Sequence, residues 1–125
     1  MRILLAEDDT NISFITQICL EKIGGHQVVL CQDGQSALDQ ALREKFDLIL
    51  LDGMMPKKSG VEVAQALFAA GIVNTPIIFL SAKSDQKDIA QFLSLGQGYI
   101  PKPFDPQTIC DQIHAILQGP GAMAA

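Results

Sequence analysis

The chain has no tryptophan, one tyrosine, two histidines and three cysteines among 125 residues. The cysteines, Cys19, Cys31 and Cys110, are odd in number and far apart. That argues against a disulfide framework or a zinc ligand set, and suits reduced thiols packed as small apolar residues in a cytoplasm. His26 and His114 have no ligand-spaced partners, so neither is assigned to a metal or to catalysis. Basic residues are scarce: nine Lys and Arg stand against fourteen Asp and Glu, a net charge of −5. Nucleic acid is therefore not expected as a direct partner, because binding it needs clustered cations. No apolar run approaches the roughly 18 residues that a membrane span needs, no signal-peptide pattern opens the chain, and no internal repeat is visible.

What is present is a hydrophobic content of 48%, enough for a packed core and too high for disorder. The length fits one domain that buries about two thirds of its unfolded surface. Short apolar runs alternate with longer periodic stretches. Strands are expected at Arg2–Ala6, Gln27–Cys31, Asp47–Leu51, Pro76–Leu80 and Tyr99–Ile100. A first helix is expected over Thr10–Ile23, with Ile12, Ile15, Cys19 and Ile23 as its apolar stripe, Asp9 or Thr10 as its cap and Gly24-Gly25 as its stop. Further helices are expected over Gln35–Glu44, from Ser59-Gly60 to about Ala70, over Asp85–Leu95 with Ile89, Phe92 and Leu93 on one face, and over Asp105–Leu117. Five strand–helix repeats imply an α/β fold, a doubly wound parallel sheet with helices on both faces. The expected strand order is 2-1-3-4-5, with Pro101 and Pro103 at an edge where no ladder donor is needed. Residues 1–118 form the expected domain, and 119–125 a flexible tail or linker.

In such a sheet ligands bind at the carboxyl ends of the strands, where strand order reverses. Strand 1 ends in Glu7-Asp8-Asp9 and strand 3 in Asp52; Ser81-Ala82 follows strand 4 and Lys102 follows strand 5. Three close carboxylates repel, and a hard divalent cation relieves them. Magnesium takes oxygen ligands and shares them with phosphate oxygens, so a phosphoryl group fits the crevice. Asp52 is the candidate nucleophile, a lone acid held at the crevice centre by an apolar strand. Glu7 and Asp8 are the candidate metal shelf. Ser81 and Lys102 are candidates for contact with phosphoryl oxygens.

Glu7-Asp8, Asp52 with Met55-Pro56 and Gly60 after it, Ser81-Ala82, and Tyr99-Ile-Pro-Lys-Pro-Phe104 resemble the receiver domain of bacterial two-component response regulators, a CheY-like domain with the flavodoxin-like (βα)5 fold. The resemblance spans about residues 1–118. It implies that Asp52 accepts a phosphoryl group from a sensor histidine kinase, a phosphotransfer protein or a small donor such as acetyl phosphate. It implies Mg²⁺ on Asp8, Asp52 and the Met54 main-chain carbonyl, with Glu7 acting through water. It implies Ser81 and Lys102 on the phosphoryl oxygens, a cis Lys102–Pro103 peptide, and a switch in which Ser81 moves and Tyr99 turns inward. The surface of helix 4, strand 5 and helix 5 would then change its affinity for a downstream protein, a fused effector domain or a second copy of the chain. Met54, two residues past Asp52, and Lys83, two past Ser81, occupy positions that tune the lifetime of the acyl phosphate. The stretch between Gly96 and Tyr99 is one residue shorter than the family's usual loop. Such a domain catalyses only its own phosphoryl uptake and loss. Three alternatives stand beside it. An aspartyl-phosphate phosphohydrolase would need an acid where Met54 stands. A flavodoxin-like cofactor binder would need an amide-rich loop where Glu7-Asp8-Asp9 stands. A pseudo-receiver would work as a scaffold without phosphorylation.

Overall fold

The computed structural model describes residues 1–82 and 85–124, with side chains described through residue 118. Five strands, β1 (Arg2–Ala6), β2 (Gln27–Cys31), β3 (Leu48–Asp52), β4 (Ile77–Ser81) and β5 (Gly98–Pro101), form one sheet in the order β2-β1-β3-β4-β5. All neighbours run parallel. The helices are α1 (Thr10–Ile18), α2 (Gly34–Arg43), α3 (Gly60–Ala69), α4 (Gln86–Leu95) and α5 (Ile109–Ala124). Alternate strand residues face opposite layers, as a two-residue period requires. Leu4, Ala6, Ile49, Leu51, Ile77 and Phe79 join one core with Ala37 and Leu38 of α2, Val63 and Leu67 of α3, and Phe92 of α4. Ile3, Leu5, Leu48, Leu50, Ile78 and Leu80 join the other, with Leu20, Ile109 and Ile113. β3 and β4 are buried along their whole length.

Each helix starts where a side chain satisfies its first free amides. Asp9 accepts from the Asn11 and Ile12 amides, Asp33 from Ser36, and Asp85 from Asp88. Ser59 and Glu62 form a reciprocal capping box. These caps fix where the loops after β1 and β3 end, and so how tightly they fold over the sheet edge. Gly60 is the tightest point. A Cβ there would collide with the Asp52 carbonyl, so only glycine lets α3 begin this close to the end of β3.

Several details depart from the sequence expectation. The first helix does reach Ile23, but its last five residues, Cys19–Ile23, form a π turn. Its buried side is Ser13, Thr16, Cys19 and Leu20, while Ile15 and Ile23 are exposed, together with Phe14 and Ile18. Two causes combine. Small hydroxyl side chains take the face nearest the sheet, Ser13 returning its hydroxyl to the Thr10 carbonyl. The wider π turn then re-phases the stripe, so that Cys19 and Leu20 both face inward. On α4 only Phe92 is buried, and Leu93 faces solvent. β3 and β4 each end one residue later than expected, which makes Asp52 and Ser81 their last strand residues. A 3₁₀ turn at Pro106–Thr108 precedes α5, because Pro106 fits a first turn and Asp105 caps it. α5 runs to Ala124, past its expected end at Leu117.

Replacing Gly60 by Ala should cost about 1–3 kcal/mol, the usual range for an overpacked site. The ~1 kcal/mol that Ala gains in helix propensity does not offset a backbone collision that no rotamer relieves. Urea unfolding of Gly60→Ala against the parent chain measures the difference; an unchanged midpoint would refute the tight-approach explanation.

Candidate functional site

Parallel strands deliver their carboxyl ends to one edge, and backbone bonds fix what stands there. The Glu7 amide donates to the Cys31 carbonyl at 3.0 Å, the Gly53 amide to Leu80 at 2.8 Å, and the Lys102 amide to Ser81 at 2.8 Å. Glu7, Asp52, Ser81 and Lys102 are therefore held by continuations of the sheet ladder rather than by free loops. Glu7 is fully buried, Asp52 is 5% exposed and Ser81 1%. Asp8 is exposed. The Lys102–Pro103 peptide is cis.

The Lys102 ammonium stands between two carboxylates, 2.5 Å from Glu7 Oε1 and 3.3 Å from Asp52 Oδ2. The first contact is too skewed to satisfy Glu7 Oε1 as a hydrogen bond, so it is an ion pair only. The Asp9 amide donates to Glu7 Oε2 at 3.2 Å, and the Met54 amide to Asp52 Oδ1 at 3.2 Å. Burial, with Glu7 alongside, holds the Asp52 carboxyl well above the usual carboxylate range; Lys102 and the Met54 amide only partly oppose this. Burial also works against the Lys102 charge, but Glu7 and Asp52 outweigh it and hold the ammonium above the ordinary lysine value.

Glu7, Asp8 and Asp52 each offer a carboxylate oxygen, all within 4.8 Å of one another. Two unit negative charges about 4 Å apart repel by roughly 4 kcal/mol at an effective dielectric of 20. One ammonium cannot balance three acids. A hard dication on all-oxygen donors would, and the incompletely satisfied Glu7 oxygen fits that need. The residues present therefore suit Mg²⁺.

A cleft of about 400 Å³ beside these acids is lined by Asp8, Gly53, Met54, Met55, Pro56 and Ser59. The Met54 side chain is exposed beside it. Tyr99 is half-buried and stacks on Phe92, which in turn stacks on Phe79. Lys83 lies outside the described residues. Two features escape sequence reasoning. One is the aromatic stack, in which Phe92 reads as an ordinary core residue. The other is an apolar groove of about 330 Å³ between α1 and the segment after β5, lined by residues including Ile12, Ile15, Lys102, Phe104 and Pro106. The only signal for the groove is a surplus of large apolar residues around α1.

Comparison with known proteins agrees with this geometry. The family model described as "Response regulator receiver domain" matches residues 3–114. The chain is 40% identical over 119 residues to the transcriptional regulatory protein RprY of Bacteroides fragilis, covering 94% of this chain and 50% of the relative. It is 39% identical over 118 residues to the transcriptional regulatory protein CpxR of Escherichia coli K12, covering 94% and 49%. The chain thus spans about half the length of these curated relatives. The receiver domain of the Francisella response regulator 1452 superposes with a TM-score of 0.85 at 28% identity, covering 94% of this chain and 96% of that one. The chemotaxis response regulator CheY4 of Vibrio cholerae gives 0.81 at 26% identity, covering 90% and 95%.

The raised Asp52 value fixes a sign. Without metal, the folded state holds a proton that the unfolded carboxyl releases near pH 4, so Asp52's contribution to stability falls as pH rises above about 4. Mg²⁺ should reverse the loss, by ~2.7 kcal/mol at one hundred times its dissociation constant. Urea unfolding at pH 5 and pH 8, with Mg²⁺ or a chelator, measures both effects. Asp52→Asn should be the more stable protein at pH 8 without metal and should lose most of the Mg²⁺ response.

Proposed function

The chain belongs to the response regulator receiver domain family, and on that footing we propose that Asp52 is the phosphoryl acceptor of a two-component phosphorelay. The observation that carries this is the Asp52 carboxylate itself: the last residue of a fully buried strand, flanked by Glu7 and paired with Lys102. A nucleophile so held cannot swing away from its partners, which is what an in-line displacement requires.

The donor is a phosphohistidine on a sensor kinase or phosphotransfer protein, or a small acyl phosphate. An Asp52 oxygen forms a bond to phosphorus as the phosphorus–nitrogen bond breaks, and the imidazole keeps the electron pair. Lys102 stays protonated and neutralises charge on the phosphoryl oxygens, and the Ser81 hydroxyl contacts one of them. When bound on Asp8, Asp52 and the Met54 carbonyl, with Glu7 reached through water, Mg²⁺ supplies the remaining neutralisation and keeps Asp52 ionised. The apolar groove beside Lys102, with Phe14, Ile15 and Ile18 exposed on α1, is the face we assign to the incoming donor. Met54 and Lys83 set the lifetime of the product. Neither is an acid or amide that would orient water, so the acyl phosphate should be long-lived.

The output is the surface of α4, β5 and α5, with Ser81 and Tyr99 as its switch. The partner there is a downstream protein, a fused effector or a second copy of the chain. The relatives whose half-length this chain spans are transcriptional regulatory proteins, so an effector joined through residues 119–125 to a domain of residues 1–118 fits. Free Cys19, Cys31 and Cys110 suit a cytoplasmic setting. The domain turns over no external metabolite.

With acetyl phosphate and Mg²⁺, intact-mass spectrometry should show one added phosphoryl group. Asp52→Asn and metal chelation should abolish it. Lys102→Ala should slow uptake by roughly 10²-fold, the scale of losing one charge-stabilising contact. Unchanged uptake in Asp52→Asn would overturn the assignment. Met54→Asn should shorten the lifetime several-fold after donor removal; an unaltered decay would refute the role given to Met54.

A further inference from the structure

Ser81 and Tyr99 stand at the two ends of the proposed switch, and one side chain reaches the neighbourhood of both. Gly53 marks the first end. A Cβ built on it would lie 2.9 Å from Ser81 Oγ and 3.3 Å from Phe92 Cζ. The serine hydroxyl and the tip of the Phe92 ring therefore press on the same point, directly after Asp52. At the other end the Phe92 ring stacks on Tyr99, with centroids 5.7 Å apart and planes at 21°. Phe79 stacks on Phe92 at 4.8 Å and 26°. Phe92 is 2% exposed and is the single buried residue of α4.

From this we infer that Phe92 is the positioning residue that carries a displacement at Ser81 to Tyr99 and to α4. The inference rests on the receiver function proposed above. A Ser81 hydroxyl drawn toward a phosphoryl group leaves the point it shares with Phe92. The ring tip follows into the space, because a packed interior does not keep a void beside an aromatic edge. Tyr99, stacked on that ring, must tilt or part from it. α4 moves too, since this ring is its one buried attachment. Phe92 touches no reacting atom, so it should act on the response and not on phosphoryl uptake. The missing side chain at Gly53 is part of the device, because any Cβ there would fill the space in which serine and ring meet.

Tyr99 is the only tyrosine in a chain without tryptophan, so intrinsic fluorescence reports its surroundings alone. The test compares the parent chain with Phe92→Leu and Phe92→Met, adding Mg²⁺ and beryllofluoride and following Tyr99 emission. Phosphoryl uptake from acetyl phosphate is measured in parallel. Both variants should take up phosphate within about twofold of the parent rate, while their Tyr99 response falls several-fold. A full response in either variant would overturn the role of Phe92 and leave the receiver function standing. Absence of uptake in the parent chain would instead sink the receiver function. In the parent chain, the ring signals of Phe92 in a phenylalanine-labelled NMR sample should shift together with those of Tyr99. Should both variants fail to fold, this measurement decides alone: Phe92 signals that stay fixed while Tyr99 moves would refute the inference.

Discussion

The ammonium of Lys102, set between the carboxylates of Glu7 and Asp52, is the contact on which the rest of the structure depends. Two buried acids at one sheet edge are unfavourable for any fold. They persist because β5 delivers a cation to them and because the ladder pins its main chain to Ser81. The pair also sets the chemistry. One positive charge among three acids leaves a site that still attracts cations, and the same charge is ready for the oxygens of an incoming phosphoryl group.

A doubly wound sheet supports such a site well. Its strands are buried on both faces, so shifting one residue along a strand would turn its apolar side chains into the wrong layer. Asp52 inherits that rigidity from four buried leucines and isoleucines before it. The loops inherit theirs from caps: Asp9 closes the segment after Glu7, and Ser59 with Glu62 closes the one after Asp52. Freedom is concentrated farther away. α4 is held by one buried ring, and α1 presents large apolar side chains to solvent.

Most of the fold is legible in the sequence because buried parallel strands appear as unbroken apolar runs. β1 and β2 match their runs residue for residue, and the strand order follows from handedness. The ends of β3 and β4 differ by one residue because the polar Asp52 and Ser81 look like loop but still join the ladder. The face of α1 is not legible. Counting its isoleucines finds a stripe, but the tight approach to the sheet selects Ser13 and Thr16, and a π turn re-phases Cys19 and Leu20 after them. Leu93 misleads in the same way, since hydrophobicity alone does not say which side of a helix is covered. At the site, the clustering of Glu7, Asp8, Asp52 and Lys102 follows from topology alone. The stack of Phe79, Phe92 and Tyr99 does not, because it depends on side-chain directions that spacing leaves open.

The environment of Lys102 has a consequence for selectivity among nucleophiles. An amine attacks an activated phosphoryl or acyl group only through a free electron pair, and protonation removes that pair. Lys102 is the amine held against the candidate acceptor, and its two acidic neighbours keep it protonated more firmly than an ordinary lysine. The same contact that stabilises charge at the crevice thus silences the side chain that would otherwise compete with Asp52. A phosphoryl group arriving there meets a carboxylate that can bond to it and an ammonium that cannot. The product is then a labile acyl phosphate instead of a phosphoramidate or an acylated lysine, and a signal written in that bond remains erasable by water.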